Sequence, residues 1–85
     1  MKNTIAVLFF ASLADALNCR ELTLDWTPEL ATASALRTHL QRRGGTWEPL
    51  GSDQVRCAVN REIVKMDHPL RPGDEVAFFP PVTGG

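Results

Sequence analysis

Ile5, Val7 and Phe9 fall on one face of an extended segment and Ala6, Leu8 and Phe10 on the other, so the first strand is apolar on both sides. Such a strand belongs in the centre of a sheet. Leu22, Leu24 and Trp26 alternate with Glu21, Thr23 and Asp25, the period-two pattern of a strand with one buried and one wet face. A hairpin across a loop around Ser12 to Cys19 is expected to join the two. The period then changes. Ala33, Leu36 and Leu40, at spacings of three and four, form the apolar stripe of a helix that Thr32 can cap, with Arg37, Gln41 and Arg42 outward. Arg42 and Arg43 suit the negative end of the helix dipole, and Gly44-Gly45 ends the helix. Thr27-Pro28 can open an earlier helical turn.

Beyond a loop that holds Trp47, Pro49 and Gly51-Ser52-Asp53, alternation resumes with Val55, Cys57 and Val59 on one face and Arg56 and Ala58 on the other. Cys57 therefore reads as a small core residue. Asn60-Arg61 is a turn leading to Ile63-Val64, and the prolines and glycine between Asp67 and Asp74 mark a loop. Glu75 to Phe79 is the last strand, with Val76 and Phe78 facing one way and Ala77 and Phe79 the other. Hairpin, helix and returning strands predict an α+β fold, one mixed β-sheet packed on one main helix. Val7, Leu24, Leu36, Leu40, Val59 and Val76 are the expected core.

The 85 residues suffice for one domain with a real core but not for a deep internal cavity. Function is therefore expected at a surface or an end. Nine basic and ten acidic residues leave a net charge of -1, with the bases scattered, which argues against a nucleic-acid stripe. Cys19 and Cys57 match neither a CxxC nor a zinc spacing and read as free thiols. Lys2, the apolar run Ile5 to Ala11 and Ala14-Asp15-Ala16 imitate a short signal peptide. The alternation within that run favours a buried strand instead, and no stretch is long enough to span a bilayer.

An enzyme's site is hard to find. His39 lies on the predicted helix and His68 in a loop, neither at motif spacing from a serine or cysteine nucleophile, and no metal site is visible. The unusual feature is the end, Phe78-Phe79-Pro80-Pro81-Val82-Thr83-Gly84-Gly85. It carries no ionisable side chain, so its only charge is the terminal carboxylate. Pro80-Pro81 stiffens the exit from the sheet, and six residues from Pro80 onward can reach roughly 20 Å when extended. That is a probe suited to a narrow channel. Gly-Gly alone would be a weak mark, since most chains end in a frayed terminus.

It is not alone. The segments Val7-Leu8-Phe9-Phe10-Ala11, Ala35-Leu36-Arg37, Ala58-Val59-Asn60, Asp67-His68-Pro69-Leu70 and the whole of Gly73 to Gly85 resemble, in order, the small subunits of molybdopterin synthases, a family of ubiquitin-like sulfur carriers. The stretches around Ser12 to Cys19, Thr27 to Ala31 and Gly44 to Gln54 are not distinctive.

The resemblance implies a β-grasp (ubiquitin-like) fold over residues 1–85, with 80–85 as a flexible, extended Gly-Gly tail. It implies that Gly85 is adenylated by a separate activating enzyme using ATP, converted to a thiocarboxylate, and delivered to a large synthase subunit. There the sulfur builds the molybdopterin dithiolene from cyclic pyranopterin monophosphate. Pro80, Pro81, Val82, Thr83 and Gly84 would form the inserted tail, and Phe10, Ile63 and Phe79 the apolar patch for the large subunit. No cofactor is expected to be bound, and the setting would be cytoplasmic, away from membranes and nucleic acid. A thiamin-type carrier and a ubiquitin-like modifier are the alternative readings.

Overall fold

Branched and aromatic side chains at alternate positions put Thr4–Phe9 in an extended strand, β1, whose Ile5, Val7 and Phe9 are buried. The computed structural model describes residues 3–81. β1 does not have two buried faces as its sequence predicts: Ala6 is exposed and Leu8 half-buried. The helices cover one side of the sheet only, and a sheet that mixes antiparallel with parallel pairing tolerates one uncovered face. The strand order is β2 (Glu21–Asp25), β1, β5 (Glu75–Phe79), β3 (Arg56–Val59), β4 (Glu62–Val64), so β1 is interior, but the middle place belongs to the last strand.

The link from β1 to β2 (Glu21–Asp25) differs from expectation too. In place of a hairpin loop there is a two-turn helix, α1 (Ala11–Leu17), which buries Leu13, Ala14 and Leu17. Those residues sit at helical spacing, but a helix this short is unfavourable by itself and forms because the core accepts its apolar side. Ala11, at φ 54°, turns the chain into it, and Asn18, also left-handed at φ 53°, turns it out. The antiparallel pairing of β1 with β2 holds, Val7 opposite Leu22 and Ile5 opposite Leu24. Leu24 is only half-buried, because β2 is an edge strand beyond the helical cover.

A 3₁₀ turn at Pro28–Leu30 precedes α2 (Ala33–Gln41). The Thr32 hydroxyl accepts from the Ala35 N–H at 3.0 Å, the cap read from sequence. Ala33, Leu36 and Leu40 are fully buried, and Gly44 and Gly45 follow with positive φ. The stretch expected to be a loop after them is a 3₁₀ helix over Gly45–Gly51. Pro49 lacks the N–H that an α-helix would use, while the three-residue spacing of Trp47 and Leu50 suits the tighter winding. Leu50 is buried, and Trp47 meets the Phe9 ring edge-on at 5.7 Å between centroids.

β3 (Arg56–Val59) and β4 (Glu62–Val64) form a hairpin whose two turn residues, Asn60 and Arg61, are both left-handed, the twist that a tight hairpin requires. β5 (Glu75–Phe79) lies between β1, to which it is parallel, and β3, to which it is antiparallel. Asn60 ties the hairpin turn to the start of β5: its amide donates to an Asp74 carboxylate oxygen at 3.0 Å and its carbonyl accepts from the Glu75 N–H at 3.1 Å. Phe78 is fully buried and stacks on Phe9 at 6.2 Å. Each such side chain contributes about 1.5–3 kcal/mol on burial. One five-stranded mixed sheet wrapped on α2, with first and last strands parallel at its heart, is the β-grasp arrangement.

Candidate functional site

Because side chains alternate across a strand, the residues that skip the core form a second surface. Leu8 pairs with Ala77, Ala77 with Ala58, and Ala58 with Ile63, giving an apolar row that crosses four-fifths of the sheet's width. The Phe10 N–H donates to the Phe78 carbonyl at 3.2 Å, which sets Phe10 beside the end of β5, where Phe79 leaves on the open face. Leu8, Phe10, Ala58, Ala77 and Phe79 line one shallow depression with Arg61 and Glu75 at its margin. Phe10 is 49% exposed, Ile63 76%, and Phe79 is half-buried.

The three patch residues named from sequence therefore share one face, Phe10 and Phe79 together at one end and Ile63 across Ala58 from them. Leu8, Ala58, Ala77 and Arg61 were not named. The period-two alternation of β1, β3 and β5 held the signal for the first three. Large apolar groups on an otherwise polar surface are a mark of a binding face.

The tail leaves beside this face. Pro80 and Pro81 are half-buried in a second, mainly apolar groove lined by Ser12, Leu13 and Ala16 of α1 and by Pro49, Gln54 and Val55. Val82, Thr83, Gly84 and Gly85 lie outside the described residues, so their expected roles rest on chemistry rather than geometry.

Neither cysteine competes for the role of sulfur bearer. Cys57 faces the core, and burial pushes its thiol up to about 11 against an opposing pull from the Arg37 guanidinium. A thiol held protonated is a poor nucleophile. Cys19 is half-buried beside the α1–β2 link, its Sγ donating to the Glu21 carbonyl at 3.4 Å. His39 is exposed on α2, while the backbone of His68 is used in structure, its carbonyl accepting from the Ala33 N–H at 3.0 Å. Among the described residues no three His, Cys, Asp or Glu converge as metal ligands. No helix among them is long and apolar enough to cross a membrane.

The described residues thus present an apolar face and a stiff tail root ahead of a Gly-Gly sequence. The model of the ThiS family matches residues 7–85, a span that takes in the patch, the groove and the final glycines. The chain belongs to the ThiS family. This ThiS-family chain is 43% identical over 84 residues to the molybdopterin synthase sulfur carrier subunit of Escherichia coli (strain K12), a match covering 95% of this chain and 99% of that one. Among solved structures it is similar to SAMP1 from Haloferax volcanii, with a TM-score of 0.77 at 26% identity over 96% of this chain and 99% of the other. It is also similar, with a TM-score of 0.66 at 26% identity over 96% and 99% of the respective chains, to a chain in the protein complex of subunits 1 and 2 of the molybdopterin-converting factor from Helicobacter pylori 26695.

Proposed function

We propose that this ThiS-family chain is the sulfur carrier subunit of a molybdopterin synthase, with the Gly85 carboxyl as its working group. One observation carries the reading: an apolar face that the fold leaves uncovered adjoins the strand end from which the Gly-Gly tail departs. A relative of that name and a structure holding both converting-factor subunits support it.

The chemistry follows from the carboxylate's inertness. In an activating enzyme a Gly85 carboxylate oxygen attacks the α-phosphorus of ATP and pyrophosphate leaves, giving an acyl-adenylate. A sulfur nucleophile then adds at the carbonyl carbon and AMP departs, leaving a thiocarboxylate. Glycine puts no Cβ in the way of either attack. The large subunit, docked on Phe10, Ile63 and Phe79, takes the sulfur for the dithiolene of molybdopterin, and hydrolysis returns the carboxylate. Cations and bases that stabilise these steps come from the partners, and the carrier holds no cofactor of its own. The setting is the cytoplasm, where ATP is at hand.

Intact-mass analysis of the chain recovered from cells with the activating enzyme tests the reading. A mass gain equal to sulfur replacing one oxygen, lost on incubation with large subunit and cyclic pyranopterin monophosphate, is expected. One rival is a ubiquitin-like modifier that forms isopeptide bonds with lysines. Covalent conjugates in place of a noncovalent complex would favour that rival.

A further inference from the structure

The geometry points to a second structural duty for α1: with the segment around Pro49 to Val55 it forms a seat that grips Pro80–Pro81 and fixes the direction in which the tail leaves the sheet, Ala16 being the positioning residue that keeps the seat open. The inference rests on the sulfur-carrier reading and adds to it.

The need for a seat is physical. The hydrogen-bonded ladder cannot continue past Phe79, because Pro80 and Pro81 have no N–H to donate. Packing is what remains to hold them. Their fixed φ makes them a short stiff rod, so the angle at the root sets the direction from which the last four residues start. The four residues beyond Pro81 can reach about 13 Å. A change of direction at the root shifts the region that the carboxyl can reach, and a misplacement of about 1 Å can already cost a hundredfold in rate.

The seat is built to meet that need. Leu13, Ala14 and Leu17 anchor α1 in the core, and Val55 is buried on the opposite wall. Ser12 and Ala16 are on the exposed side of α1 and line the groove with the two prolines. The left-handed Ala11, at φ 54°, turns α1 back beside the end of β5 immediately after Phe10 is stitched to the Phe78 carbonyl. L-residues adopt that conformation at a cost, so the fold retains strain at the point that brings the wall to the prolines. Gln54 and Ser52 complete the rim.

Ala16→Trp fills the groove from the exposed side of α1. The full-length chain, converted to the thiocarboxylate and mixed with the large subunit, is compared with wild type by isothermal titration and by single-turnover sulfur transfer. The complex is expected to keep its Kd within about twofold while the transfer rate falls about tenfold, and Ala16→Ser should behave as wild type. NOEs between the Pro81 ring and the residue 16 side chain, present in wild type and lost in Ala16→Trp, report the seat independently of activity. Ser12→Trp supplies a second wall variant should the first fail to fold. Wild-type transfer rates in the tryptophan variants, or a Kd that worsens in step with the rate, would overturn the seat. A wild-type chain that accepts no sulfur would instead overturn the carrier reading on which it stands.

Discussion

Phe78 and Phe79 are neighbours of one residue type in one strand, yet the first is fully buried against Phe9 while the second stands half-open beside Phe10. The same split runs through β1 with the residue that follows it and through β3, with Val7 and Phe9 inside against Leu8 and Phe10 outside, and Cys57 and Val59 inside against Ala58 outside. One face of the sheet holds the fold together; the other, nearly as apolar along its central row, holds nothing in the isolated chain. Apolar character therefore does not separate core from interface here. What separates them is α2, which covers one face and leaves the other open, the face proposed here for the large subunit.

The largest expected effect breaks the covered face. Phe78→Ala should cost about 3–5 kcal/mol of stability and Leu36→Ala about 2–5, from lost transfer energy plus the cavity left behind. Chemical denaturation measures both, and an unchanged midpoint would show that the two faces are not so divided.

On the open face the same truncation should act elsewhere. Phe79→Ala should weaken the complex with the large subunit by about 2–4 kcal/mol, as for a buried aromatic anchor, while costing the isolated chain much less than Phe78→Ala. Ile63→Asp should do likewise. Titration against the large subunit beside a melting curve decides the matter; if Phe79→Ala unfolds the chain, the residue is structural.

A smaller effect sharpens the inner face through pH. The Cys57 thiol is held up to about 11 from an ordinary 9.0, chiefly by burial. The unfolded chain therefore gives up this proton first on a rising pH scale. The stabilisation is complete below pH 9 and is lost as pH climbs from there through about 11, on the order of 2 kcal/mol in all. Cys57→Ala is less stable at neutral pH but should lose less than wild type over that window, and parallel alkaline curves for the two would refute the assignment.

The smallest effect lies at the margin of the open face. Arg61 sits at φ 72°, where glycine is favoured in a tight hairpin. Arg61→Gly should raise stability by about 0.5–1 kcal/mol, read as a higher melting temperature. A lower melting temperature would mean that the arginine side chain contributes more than its backbone strain costs.

Much of the covered face could be read from residues alone. Thr32, Leu36 and Leu40 at helical spacing, and Val55, Cys57 and Val59 at strand spacing, carry their positions in local pattern. α1 could not be read so. Leu13, Ala14 and Leu17 are too few to fix a helix without the core that receives them, and the 3₁₀ winding around Trp47 depends on Phe9 lying beneath it. Leu24 misled because alternation marks which face a side chain takes, not whether a helix reaches that strand. For the site, Phe10, Ile63 and Phe79 came from family resemblance, whereas Leu8, Ala58 and Ala77 needed the strand register to bring them together. The seat of Pro80–Pro81 depends on α1, so it was hidden along with that helix.

In the proposed mechanism the terminal carboxyl of Gly85 carries sulfur and the rest of the fold delivers it. Intact-mass measurement of a chain lacking Gly85, after exposure to the activating enzyme, ATP and a sulfur donor, tests this most directly. No thiocarboxylate is expected on the truncated chain, with an unchanged melting temperature, since a single terminal residue contributes little to stability. A chain ending at Gly84 that gains sulfur as readily as the full-length protein would contradict it.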